Sequence, residues 1–139
     1  MPSKINHIGI AVPDIEAAAK FYTEHLGLQL GGVEEVADQK VKVAFLPIGE
    51  VRLELVQPTS PESAVAKFLE KNGGPGFHHI AYQVEDTAAE VERLKAAGVK
   101  MVDEKPRAGA HNTRIAFVHP KASGGVLTEL VQEMGHHHG

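Results

Sequence analysis

Two histidines and two glutamates, His7, Glu54, His79 and Glu129, are the residues of this chain whose types and placement suit divalent-metal chemistry. Two neutral imidazoles and two carboxylates would balance the charge of a 2+ ion and leave coordination sites for water or substrate. A mixed nitrogen and oxygen donor set suits first-row divalent ions. The two carboxylates of such a cluster would repel without a cation, and one would take up a proton. Spacing within one helix or loop does not reveal the set, because the four residues are spread along the chain.

What reveals it is a repeat. The word ELVQ occurs at Glu54–Gln57 and again at Glu129–Gln132. NHIGIAVPDIEAAA from Asn6 matches HHIAYQVEDTAAEV from His78, so that His7 meets His79, Ile8 meets Ile80 and Val12 meets Val84. Ala44-Phe45 meets Ala116-Phe117 at the same offset of 72, whereas ELVQ repeats at 75. The second half therefore carries three extra residues, which we place in the turn HPKASGG (His119–Gly125).

Each half reads as βαβββ. The first strand spans Ile5–Val12 or His78–Val84. A helix follows, from Ile15 to about Leu26 or from Ala88 to about Ala97. Ile15, Ala19, Tyr22 and Leu26 point inward in the first, and Val91 and Leu94 in the second. Thr87 with Glu90 has the pattern of a capping box. Gly27 and Gly98 fall where a helix ends in the left-handed region. Three strands complete each half: Gln29–Val36, Lys42–Pro47 and Val51–Gln57, then Lys100–Glu104, Arg114–Val118 and Val126–Gln132. A helix over Ser60–Lys71, capped by Ser60, joins them. The expected class is α+β, two paired βαβββ units making a cupped, mostly antiparallel eight-stranded sheet. We expect one domain over residues 1–134, with repeats at 5–58 and 77–133 and the linker helix at 60–72. Residues 135–139 read as a purification-tag remnant.

Side chains alternate along a strand. Ile8, Ile10 and Val12 suit the face under the helix, which puts His7, Gly9 and Ala11 on the other. The same parity selects His79, not His78, in the second half. If each glutamate shares the face of its own histidine, the four groups converge. A strand glutamate on a solvated outer face, or a hydrogen-bonded structural histidine, is the plainer alternative for any one of them.

Bulk properties narrow the class. The chain has 139 residues, 42% hydrophobic and 23% charged, with net charge −4 and no cysteine. Disulfides, thiolate catalysis and cysteine zinc sites are excluded. A broad nucleic-acid or anionic-membrane surface is not expected. No apolar run approaches a membrane span and no signal-peptide core is visible, so the expected location is cytoplasmic.

Paired βαβββ units with His…Glu in each half resemble the vicinal-oxygen-chelate superfamily, whose glyoxalase-like members include extradiol dioxygenases and fosfomycin-resistance proteins. INHIGIAVPDIEAAAKFY (Ile5–Tyr22), ESAVAKFLEKNGGPGFHHIAY (Glu62–Tyr82) and RAGAHNTRIAFVHPKASGGVLTELVQ (Arg107–Gln132) are similar to methylmalonyl-CoA epimerases. The resemblance implies His7, Glu54, His79 and Glu129 as ligands of Co2+ or Mn2+, with Ni2+, Zn2+, Mg2+ and Fe2+ as further candidates. It implies a homodimer acting on methylmalonyl-CoA, with Glu129 as the base that takes the alpha proton. The second ligand position is often glutamine in that family and is Glu54 here. Several relatives carry an acidic second base on the strand before it, but Lys42-Val43-Ala44-Phe45 has no acid. His111, in the loop from Arg107, is then a candidate proton donor. Lys121, Arg114 and Arg107 are candidate contacts for the coenzyme A phosphates, although each suits a solvated surface equally well. A glyoxalase I-type lyase acting on a hemithioacetal, and a non-enzymatic drug-sequestering protein, are the alternatives.

Overall fold

The computed structural model describes residues 1–135, so His136–Gly139 of the expected tag remnant lie outside the described residues. The chain divides into two compact units. The first is His7–His78, and the second is the chain from His79 onward together with Met1–Asn6.

The first unit is built from β1 (Lys4–Ala11), α1 (Ile15–Lys20), β2 (Gly32–Val36), β3 (Val41–Ile48), β4 (Val51–Pro58) and α2 (Ala64–Asn72). Its strands run in the order β2-β3-β4-β1, antiparallel except for the β1–β4 pair, which is parallel. The second unit is built from β5 (Gly76–Gln83), α3 (Thr87–Ala96), β6 (Arg107–Gly109), β7 (Thr113–Val118) and β8 (Thr128–Glu133). Its order is β6-β7-β8-β5, again with two antiparallel ladders and one parallel pair, β5–β8. The expected βαβββ arrangement with mostly antiparallel pairing is therefore present in each unit.

The parallel pair requires a crossover, and the helix supplies it. In the first unit Ile10, Val12, Ala44, Leu46, Leu53 and Leu55 pack under Ile15, Ala18 and Ala19 of α1. In the second, Val84, Ala116, Val118 and Leu130 pack under Val91 and Leu94 of α3. Each helix is tied down at its start by the glutamine of its ELVQ word. The Gln57 Oε1 accepts the Ile15 N–H at 2.9 Å, and the Gln132 Oε1 accepts the Thr87 N–H at 2.9 Å. These donors are among the first-turn N–H groups that no helical carbonyl can reach.

Four local expectations are corrected. Asp86, not Thr87, caps α3: its carboxylate accepts the Ala89 N–H, and the buried Thr87 hydroxyl donates to the Arg114 carbonyl. Ser63, not Ser60, caps α2, and Ser60 instead accepts the Glu62 N–H in a local turn. The helix after Asp14 widens into a π-turn over Phe21–His25. The extra residue in that turn shifts the helical phase. Leu26 is left exposed, and Leu28 joins the core beside Tyr22. Finally, Lys100–Glu104 is not a strand. Met101 alone bridges Val118, and the Asp103 carboxylate accepts the Phe117 N–H at 2.8 Å where a strand carbonyl would stand. The edge strand forms later, at Arg107–Gly109, just past Pro106, which has no N–H to donate.

Replacing Gln57 or Gln132 with alanine removes the acceptor of a first-turn N–H. Each change is expected to lower the unfolding free energy by about 1–2 kcal/mol. The two losses should add, since the sites share no partner. Urea unfolding of both single variants and the double checks this, and a loss below ~0.3 kcal/mol in either would show the contact to be inert.

Candidate metal centre

In the first unit, the parallel register pairs Gly9 with Glu54. His7 stands two residues before Gly9 on the same strand face, and its Nδ1 lies 3.3 Å from the Glu54 Oε2. Both residues are buried, at 5% and 4% exposure. The second unit repeats the arrangement. Ala81 pairs with Glu129, and the His79 Nε2 lies 3.0 Å from the Glu129 Oε1. These residues are 6% and 5% exposed. The structure thus puts each predicted histidine beside the predicted glutamate of its own half. It also supports the parity that separates His79 from His78, which is half-buried and stacks edge-on with Phe68 of α2 at 5.0 Å.

Burying a carboxylate costs several kcal/mol unless charge and hydrogen bonds offset the lost water. The surroundings supply both. Arg52, two residues before Glu54 and on its face, places Nε 3.2 Å from the same Oε2 that meets His7. The Arg52 guanidinium lies over the Phe45 ring at 5.8 Å, and Phe45 is the cross-strand partner of Glu54. In the second unit Phe117 is the cross-strand partner of Glu129, and its ring meets His79 edge-on at 5.6 Å. Arg107 lies over Phe117 at 5.9 Å, with Nε 3.1 Å from an Asp103 oxygen. Around this face Ala81, Ile115, Phe117 and Val131 form an apolar wall.

Sequence reasoning missed the two Arg–Phe stacks. Their signal was present: Phe45 and Phe117 are repeat partners, used only as evidence of duplication, and each faces a site glutamate. Arg107, one of the candidate phosphate contacts, meets Asp103 and Phe117.

The donor chemistry fits a divalent ion. Neighbouring ligands at about 2.1 Å from a common ion stand ~3 Å apart in octahedral geometry. The His–Glu separations of 3.3 and 3.0 Å match that spacing, as they also match an N–H···O bond.

The remaining candidates, Arg114, Lys121 and His111, are exposed. Arg114 is exposed and shares its strand parity with Ala116 and Val118, the side that packs under α3, not the side of Glu129. Lys121 is exposed in the turn after β7, where its N–H donates to the His119 Nδ1 at 3.0 Å. His111 is exposed and sits with Asn112 in the left-handed region, at φ 58° and 55°, between β6 and β7. On β3, Val43 is buried, faces Val56 across the ladder and shares the parity of Phe45.

The family model described as the Glyoxalase/Bleomycin resistance protein/Dioxygenase superfamily matches residues 6–117, and the chain belongs to that superfamily. Over 133 residues it is 43% identical to the ethylmalonyl-CoA/methylmalonyl-CoA epimerase of Cereibacter sphaeroides, covering 95% of this chain and 99% of that one. It is 40% identical to the mitochondrial methylmalonyl-CoA epimerase of Homo sapiens, over 93% of this chain and 73% of that one. The Streptomyces coelicolor methylmalonyl-CoA epimerase, solved with 2-nitronate-propionyl-CoA, superposes with a TM-score of 0.92 at 39% identity, covering 97% of each chain. Within the superfamily, this chain belongs to the methylmalonyl-CoA epimerases.

One histidine, His119, has a displaced titration. Partial burial of the His119 ring, then the nearby Lys100 and Lys121 charges, hold its pKa below the ordinary histidine value. A folded pKa below the unfolded one means the unfolded chain binds more protons. The contribution of the neutral ring is then complete above about pH 6.5 and is lost as pH falls through the lowered folded value. Protonation at Nδ1 would also remove the acceptor for the Lys121 N–H. The Lys121 amide resonance should therefore shift on acidification with a midpoint below the ordinary histidine value. A midpoint at or above that value would contradict the assignment.

Proposed function

We propose that this protein epimerises methylmalonyl-CoA, with His7, Glu54, His79 and Glu129 holding one divalent cation. The observation that carries the reading is the matched register: each half places a buried imidazole against a buried carboxylate, at Gly9↔Glu54 and Ala81↔Glu129. The epimerases that resemble this chain over nearly its whole length point the same way. The donor set suits Co2+ or Mn2+. When bound, such an ion acts as a Lewis acid on the thioester oxygen and lowers the cost of the enolate.

The chain's own residues move the proton. Epimerisation breaks the C–H bond alpha to the thioester on one face and forms it on the other. Glu129 is the base that takes the proton. It stands against the apolar wall of Ala81, Ile115, Phe117 and Val131, which keeps water from competing with the substrate. The second group is open to a residue outside β3, because Val43 stands where an acid would face the site. His111 takes that role in this reading. It is exposed in the turn between β6 and β7. Lys121 and Arg114 are the proposed contacts for coenzyme A phosphates. Of the two, Lys121 is the stronger, since Arg114 has the parity of the helix-bearing face. A cytoplasmic homodimer is the proposed working form.

Exchange of the alpha proton of methylmalonyl-CoA in D2O, with metal content measured in parallel, tests the reading. His7→Ala should lose metal and exchange together. Glu129→Gln should lose exchange by ~10²-fold or more, the scale of one acid-base group, while losing metal less severely. A Glu129→Gln variant that exchanges at the parental rate would remove Glu129 as the base. A parental protein that ignores methylmalonyl-CoA but turns over the hemithioacetal of methylglyoxal would replace the reaction with a lyase.

A further inference from the structure

The two glutamates are equivalent by register but not by surroundings. Arg52 precedes Glu54 by two residues, shares its face and places Nε 3.2 Å from its Oε2. That guanidinium is shelved on Phe45 at 5.8 Å and is largely buried, its side chain 21% exposed. At the repeat offset of 75, the residue matching Arg52 is Leu127. Leu127 packs into the apolar cluster of Ala81, Ile115, Phe117 and Val131. Only one of the two ELVQ words is preceded, two residues before its glutamate, by a cation.

Charge arithmetic gives the difference a purpose. Two neutral imidazoles and two carboxylates bring a loaded divalent site to a formal charge of zero. The substrate in the proposed reaction carries its own carboxylate, and its thioester gathers a second negative charge as the alpha proton leaves. A centre of zero formal charge draws either one only at contact, through its open coordination sites, with no longer-range Coulomb attraction. With Arg52 against Glu54, the loaded centre carries +1.

We propose that Arg52 is a positioning and charge-compensating residue: it fixes the Glu54 carboxylate toward His7 and keeps the loaded centre cationic, which selects acyl thioesters that bear a second, anionic carboxylate. The proposal rests on the metal-dependent reading above. Two consequences of opposite sign follow from Coulomb's law. A fixed cation beside a metal site weakens metal binding and strengthens anion binding. A residue that merely held the fold together would help both or neither.

The test is a charge cycle. Apo protein, Arg52→Leu, Arg52→Lys, Glu54→Gln and the double variant Arg52→Leu/Glu54→Gln are titrated with Co2+ by calorimetry. Exchange of methylmalonyl-CoA is then measured in D2O at saturating Co2+. Arg52→Leu should bind Co2+ on the order of tenfold more tightly while raising KM for methylmalonyl-CoA on the order of tenfold, the scale of one fixed charge at a partly screened site. Arg52→Lys keeps the charge and should stay near the parent in KM, though it cannot reproduce the stacked, planar geometry. Glu54→Gln should weaken Co2+ binding, and the double variant should return both readings toward the parent. If Arg52→Leu binds Co2+ with parental or weaker affinity, or leaves KM unchanged, the proposal is overturned. If Arg52→Leu does not fold, Arg52→Lys and the Glu54→Gln variant still decide it: a Lys variant with Leu-like loss of substrate binding, or an unchanged Co2+ affinity in Glu54→Gln, overturns it. A parental protein that takes up Co2+ but does not exchange methylmalonyl-CoA defeats the reaction assigned above, while the Co2+ affinities still judge the charge compensation. A parental protein that takes up no Co2+ overturns both.

Discussion

The constraint on which everything else rests is the parallel pairing of the first and last strands of each unit. Parallel strands cannot be joined by a tight turn, so the chain must leave the sheet and return. The return brings the helix across one face and commits the other face to something else. The register then fixes what that is. Gly9 opposite Glu54, and Ala81 opposite Glu129, set each histidine two residues upstream against the glutamate of the neighbouring strand. A slip of one residue would turn every glutamate to the helix side. Small residues at Gly9 and Ala81 leave the room in which the imidazole and carboxylate meet.

The ELVQ word condenses this logic into four positions. Its glutamate faces the site. Its leucine, Leu55 or Leu130, faces the helix and is buried there. Its valine returns to the site face, as Val131 does among Ala81, Ile115 and Phe117. Its glutamine reaches past the strand end to accept an N–H from the first turn of the crossover helix. The last contact is why register and helix placement are coupled: moving the strand would strand the helix start without its acceptor.

Most of this was legible in the sequence because duplication writes the same constraint twice. One histidine in a strand says little, but two at the same parity, each followed by ELVQ, fix a face and a partner. The parts that were not legible depend on contacts between residues distant in the chain. Asp103 substitutes for a ladder carbonyl at Phe117, so Lys100–Glu104 has the composition of a strand without forming one. Asp86 wins the cap of α3 over Thr87 because the Thr87 hydroxyl is already committed to Arg114. The π-turn at Phe21–His25 adds a residue to the helical phase and exchanges Leu26 for Leu28, which a fixed 3.6-residue period cannot foresee. Arg52 and Phe45 were readable in principle, since strand alternation puts both on the glutamate's face, but nothing in a spacing pattern says that a guanidinium will lie on a ring.

Duplication also explains why the halves need not stay alike. Two copies of one unit begin with the same carboxylate in the same register. A single residue per half is enough to change what surrounds that carboxylate. Arginine at position 52 gives its glutamate a charged neighbour on an aromatic shelf, whereas leucine at 127 gives its counterpart an apolar wall. The two glutamates therefore keep one register while differing in what surrounds them, a guanidinium beside Glu54 and an apolar cluster on the strand face of Glu129.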